Sequence, residues 1–129
     1  MKVLALDYGR ARTGVAVSDP TGTLAKPLGV IEYVDDEDGL EKLLTVIRIE
    51  EPDRIVVGLP LTLRGAHGEQ ARETESFVQN LRELVEVPVV LYDERFTTRL
   101  AEGGGTAPED ARAAAHLLSS YLERVGRES

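Results

Sequence analysis

Apolar residues recur along this chain in two rhythms, one suited to strands and one to helices. Residues 2–7 and 14–19 are short apolar runs joined by a glycine-bounded turn, which predicts a hairpin. A third strand is expected at 28–33, followed by an acidic loop at 35–38. Leu40, Leu43, Leu44 and Ile47 then step at helical spacing, and Pro52 closes that helix. Ile55-Val56-Val57-Gly58 is apolar throughout, as in a central strand covered on both faces. Residues 59–68 are rich in breakers. A long helix is expected after Gly68, with Thr74, Val78, Leu81 and Val85 in a stripe that Phe77 and Leu84 widen. Pro88 begins another strand, ending near Tyr92. A shorter helix is expected after Thr97, stopping at Gly103-Gly104-Gly105. The last helix is expected to start near Thr106, which with Glu109 matches capping-box spacing, and Pro108 fits a first turn. Ala111, Ala114, Ala115, Leu118 and Leu122 form its inner face.

Three strands followed by helix, strand, helix, strand and helix predict an α/β fold: a mixed five-stranded sheet flanked by helices. Right-handed crossovers make the strands at 55–58 and 88–92 parallel to the first. Their carboxyl ends then share one edge, where open sheets bind ligands. Asp7, Gly58 and Glu94 all fall there. Asp7 ends an apolar run directly before a glycine turn, and an ionised Asp is costly to bury unless paired or metal-bound. Asp7 and Glu94 are therefore expected to share a site, with Asp93 competing for the second position. No repeat or linker divides the chain, so residues 1–129 are expected to form one domain.

Composition narrows the function classes. The 129 residues are 42% hydrophobic and 29% charged, ordinary for a globular protein. No apolar run approaches the roughly 20 residues that span a bilayer, and the start shows no signal-peptide pattern, so a cytoplasmic location without membrane partners is expected. There are no cysteines, which excludes disulfides, thiolate metal sites and thiol catalysis. The formal net charge of -8 argues against broad electrostatic binding of nucleic acid. Arginines nevertheless punctuate the loops after strands, at Arg10, Arg12, Arg64, Arg95 and Arg99, and their planar forks suit phosphate.

Four stretches carry a family resemblance: Leu6-Asp7-Tyr8-Gly9, Gly14 to Asp19, Val57-Gly58-Leu59-Pro60-Leu61, and Asp93-Glu94-Arg95-Phe96-Thr97-Thr98. In order and over nearly the whole chain, they resemble the YqgF family of the ribonuclease H-like group. That family is described as Holliday junction resolvases, and bacterial members are linked to maturation of the small-subunit ribosomal RNA precursor. The resemblance implies a ribonuclease H-like sheet and metal-dependent phosphodiester hydrolysis by three carboxylates. Asp7 matches the first and Glu94 the second. Asp110, in Asp110-Ala111-Arg112-Ala113-Ala114-Ala115, matches the third. Mg²⁺ or Mn²⁺ fits such oxygen donors, and two ions roughly 3.5–4 Å apart activate water and steady the leaving oxygen. Where the family carries Asn after its Gly-Leu-Pro-Leu, this chain has Thr62. The segment between Glu94 and Asp110 is also shorter than the family pattern, which puts the placement of Asp110 in question.

The expected substrate-binding groups are Arg10, Arg12, Arg64 and Arg95, together with Gly65 and Gly68, which lead into a helix whose free amides can receive phosphate. Asp19 is expected to be a turn residue, His67 a bystander, His116 a partly buried structural residue and Tyr8 a packing residue. The partner is expected to be nucleic acid, RNA ahead of DNA, within ribosomal precursor particles, with the protein a monomer or homodimer. A DNA junction resolvase needs a dimer to cut two symmetric strands. A non-catalytic RNA-binding module of the same fold is a further alternative. The first turn is also similar to the phosphate hairpin of actin-like kinases, but those need a second domain.

Overall fold

The structure, a computed structural model, describes residues 1–97 and 107–128. Its elements run β1 (Val3–Asp7), β2 (Arg12–Ser18), β3 (Ala25–Glu32), α1 (Glu37–Glu50), β4 (Arg54–Leu59), α2 (Glu69–Leu84), β5 (Val89–Asp93), a 3-10 turn (Glu94–Phe96) and α3 (Glu109–Glu128). The expected helix between Thr97 and Gly103, and the capping box at Thr106, lie outside the described residues.

The strands form one sheet in the order β3-β2-β1-β4-β5. The β1–β2 and β2–β3 pairs are antiparallel, while β1–β4 and β4–β5 are parallel. This is the mixed sheet the strand pattern predicts. Alternation along each strand sorts side chains onto two faces. Leu4, Leu6, Ile55 and Val57 pack with Leu43 of α1 and Phe77, Val78 and Leu81 of α2. Val3, Ala5 and Val56 pack with Ala114, Leu117, Leu118 and Tyr121 of α3. Full burial of one such leucine contributes about 1.5–3 kcal/mol, so both helical layers are firmly held.

The structure revises several boundaries. The acidic stretch at 35–38 is not all loop: Asp36 is the N-cap of α1, and Glu37 and Asp38 form its first turn. Acids suit that position because they complement the positive end of the helix dipole. β3 begins at Ala25 and includes Pro27, which an edge strand tolerates because one row of its amides has no strand partner. Leu84, expected on the inner stripe of α2, is half-exposed. It ends the helix at the rim of a groove shared with Leu44, Ile47 and Val85. The buried face of α3 is broader than expected, adding Ala113, Leu117 and Tyr121, because this helix crosses β1, β2 and β3. Among the described residues, no helix is long and apolar enough to cross a membrane.

Candidate active site

The site is built at the carboxyl edge of β1, β4 and β5. Asp7 is the last residue of β1 and sits opposite Gly14 of β2. The turn after it is closed by Thr13, whose buried hydroxyl donates to the carbonyl of Gly9 at 3.1 Å. Tyr8, next in the chain, borders the same cavity as Asp7. Its ring stacks on Phe77 at 4.6 Å between centroids, and its hydroxyl donates to Asp35. Burial, reinforced by Asp35, pushes the Tyr8 pKa well above its usual range, so the phenol stays protonated. Its ring packs on α2, as expected.

The second acid reaches the same place from β5. Glu94 opens the 3-10 turn beyond Asp93, and its side chain lies over Gly58 of β4. A Cβ at position 58 would fall 2.4 Å from the Glu94 Oε1. Only a residue without a side chain permits that approach. Asp7 and Glu94 line one cavity of about 450 Å³, together with Arg10 and with Glu69, Gln70 and Glu73 from the first turns of α2. They also line a smaller recess of about 70 Å³ against Ala113 and Leu117 of α3, with Thr97 at its side.

Asp110 departs from expectation. The carbonyl of Asp110 rests on Gly14, where a Cβ would lie 1.8 Å away, so α3 begins beside the strand position that faces Asp7. Its carboxylate, however, is ion-paired with Arg12 at 2.9 Å, and it lines neither cavity. Among the described residues no three His, Cys, Asp or Glu side chains stand close enough to hold a metal ion together. The structure therefore gathers two of the three expected acids around one space, with the third held one strand over by a guanidinium.

The expected binding groups separate in the same way. Arg10 lines the larger cavity and pairs with Glu73 at 2.6 Å, while remaining largely exposed. Arg64 is exposed in the loop before α2. Gly65 adopts a φ of +81° there, with the Arg95 guanidinium packed against it. Gly68 is the N-cap of α2. Thr62 has a local role: its hydroxyl accepts from the amide of Ala66 at 3.0 Å and shapes the turn. His67 pairs with Glu75 on the surface.

The family model described as "RuvX: Holliday junction resolvase" matches residues 1–124. The chain belongs to the RuvX family. This is the family, also called YqgF, that the sequence motifs resemble, and it is a family of nucleases. A relative from Sulfurihydrogenibium sp. (strain YO3AOP1), named "Putative pre-16S rRNA nuclease", is 41% identical, with 96% of this chain and 91% of the relative covered. One of the same name from Roseiflexus sp. (strain RS-1) is 48% identical over 78% of this chain and 72% of its own. Among solved structures, Thermus thermophilus RuvC matches with a TM-score of 0.65 at 15% identity, covering 98% of this chain and 97% of RuvC. RuvC in complex with a Holliday junction substrate gives 0.63 at 16%, covering 98% and 96%. At such identities it is the fold that is shared, and it is the ribonuclease H-like fold.

Within this RuvX-family chain, the donor chemistry fits a hard divalent cation. Asp7 and Glu94 border one cavity from either side of β4, and carboxylate oxygens are the donors that such cations take. Asp93, the alternative to Glu94, lines neither cavity. Its carboxylate accepts from the Arg95 amide at 2.9 Å and from the Arg95 guanidinium at 2.6 Å. The Arg95 hydrogen bonds hold the Asp93 pKa below its ordinary value, and Asp93 in turn raises that of Arg95. Asp19 is a turn residue as expected. Hydrogen bonds from the Thr21 hydroxyl and from the amides of Leu24 and Thr23 lower its pKa to about 2.

The Asp93–Arg95 brace gives a pH signature. A carboxyl depressed in the folded state stabilises the protein above its unfolded pKa of about 3.9, and that contribution is lost as pH falls through the folded value. The stability difference between wild type and Asp93→Asn, from urea unfolding, is expected to be flat from neutral pH to about pH 5 and to shrink below about pH 4. A difference that instead grows on acidification refutes the brace.

Sequence reasoning overlooked Glu69, Gln70 and Glu73. Their signal was present, since Glu69 and Glu73 are four apart at the start of α2 and so share one face.

Proposed function

We propose that this protein is a metal-dependent nuclease that hydrolyses phosphodiester bonds in structured RNA, with the pre-16S ribosomal RNA as substrate. The observation that carries this reading is the convergence of Asp7 and Glu94 on one cavity at the carboxyl edge of the sheet. The names of the relatives support RNA as the substrate. A bound Mg²⁺ or Mn²⁺ would lower the pKa of a water molecule and offset charge developing on the phosphate.

In this reading Asp7 and Glu94 hold the cation, and Asp110 completes the set once Arg12 turns to a phosphate. Arg10 and Arg64 contact backbone phosphates around the cavity. Arg95, braced by Asp93, fixes the loop before α2, since its guanidinium reaches the Leu63 carbonyl at 3.4 Å. Gly65 and Gly68 let that loop bring the first amides of α2 close to the substrate. The acidic surface makes affinity weak and salt-sensitive, so RNA shape supplies the selectivity. The protein works as one domain in the cytoplasm, on ribosomal precursor particles, as a monomer or homodimer.

The family description favours one second reading, a resolvase of DNA junctions. Incubation with labelled pre-16S RNA and with a four-way DNA junction, each with Mn²⁺, separates the two. The expected result is discrete cleavage of the RNA with the junction intact. Paired symmetric nicks in the junction with uncut RNA establish the resolvase, and RNA retained but uncut establishes a binding module.

A further inference from the structure

Thr97 lies one residue past the 3-10 turn that carries Glu94, and its amide donates to the Glu94 carbonyl at 3.0 Å. Turn and threonine are therefore fixed with respect to each other. The Thr97 hydroxyl is shut off from solvent and meets no hydrogen-bond partner among the described residues. A buried hydroxyl in that condition is uncommon in folded proteins and calls for a water molecule or a ligand. The space for one is adjacent, because Thr97 borders the recess of about 70 Å³ that Asp7 and Glu94 share with Ala113 and Leu117. One water needs on the order of 10–15 Å³ and two to four polar partners.

We propose that Thr97 is a positioning residue for the attacking water of the hydrolysis. The inference rests on the nuclease reading and names a residue that reading leaves out. The water donates one hydrogen to the Thr97 oxygen and the other to Asp7 or Glu94. These bonds leave both lone pairs free, one for the cation of the proposed site and one for phosphorus. In the reaction the water oxygen bonds to phosphorus and the bond from phosphorus to the leaving sugar oxygen breaks. The electron pair of that bond goes to the leaving oxygen, which takes up a proton, and the water releases one to solvent. Thr97 is unchanged throughout. Ala113 and Leu117 offer the water nothing, so it is oriented from one side only.

The test pairs Thr97→Val, which keeps the shape and removes the hydroxyl, with Thr97→Ser, which restores it. The valine variant is expected to lose about 10–100-fold in kcat, toward the lower end for a catalytic positioning effect, with KM unchanged. The serine variant is expected to recover most of that loss. The valine variant is also expected to unfold at the same temperature as wild type or higher, since an unsatisfied polar group is gone. High-resolution crystals of the wild type are expected to show a water bonded to Thr97 Oγ1 and to Asp7 or Glu94, absent from the valine variant. Wild-type kcat in Thr97→Val, no rescue by serine, or a dry recess each overturns the proposal. If Asp7→Asn cleaves like wild type in the same assay, the nuclease site itself is wrong, and the crystallographic water still decides whether Thr97 binds one.

Discussion

Asp7→Asn is expected to lower the rate of RNA cleavage by about 10²–10³-fold, the usual cost of removing one preorganised group that acts on developing charge. The substitution is close to isosteric. Asn also keeps the ability to accept hydrogen bonds from a neighbouring turn, which is the ordinary structural reason for an Asp before a glycine. It removes only the negative charge and one acceptor oxygen, the properties that a divalent cation needs. The variant is therefore expected to keep its circular-dichroism spectrum and cooperative unfolding. Single-turnover cleavage with Mn²⁺, beside urea denaturation, makes the measurement. Full activity removes Asp7 from the chemistry, whereas joint loss of activity and fold assigns it to the turn.

Gly14→Ala is expected to produce the largest loss of stability of any single methyl added to this protein's strands. The new Cβ would lie 1.8 Å from the Asp110 carbonyl oxygen and 2.4 Å from its carbon. Both are backbone atoms, so no side chain can swing aside, and α3 must lift from β2. Overpacking ordinarily costs about 1–3 kcal/mol, and a clash with a helix backbone belongs at or above the top of that range. The urea midpoint should fall while the slope stays constant. Gly29→Ala in the neighbouring strand is the control. Nothing lies within 4 Å of a Cβ there, so it should be neutral or mildly stabilising. Equal effects at the two glycines would mean that α3 does not press on Gly14.

Much of the architecture was legible because it rests on local patterns. The apolar runs of β1 and β4 are buried on both faces, and that is visible as unbroken hydrophobicity. The crossover rule then fixed the parallel pairs and with them the edge where Asp7 and Glu94 meet. Features set by tertiary contact were not legible. Leu84 fits the helical stripe by spacing, yet what lies opposite a last turn is set by the fold. The pairing of Arg12 with Asp110 joins residues 98 positions apart, and no spacing rule connects them. Asp93 and Glu94 are adjacent and chemically similar. Only the fold shows that one braces an arginine while the other leans over a glycine.

That glycine also bears on why position 94 holds the longer of the two acidic residues. Neighbouring strands are about 4.8 Å apart, so the backbones of β1 and β5 are separated by nearly twice that across β4. The bare main chain at Gly58 opens a low pass between them, and the extra methylene of glutamate supplies the reach to cross it. Carboxylates that begin two strands apart thereby border one cavity without any movement of the sheet.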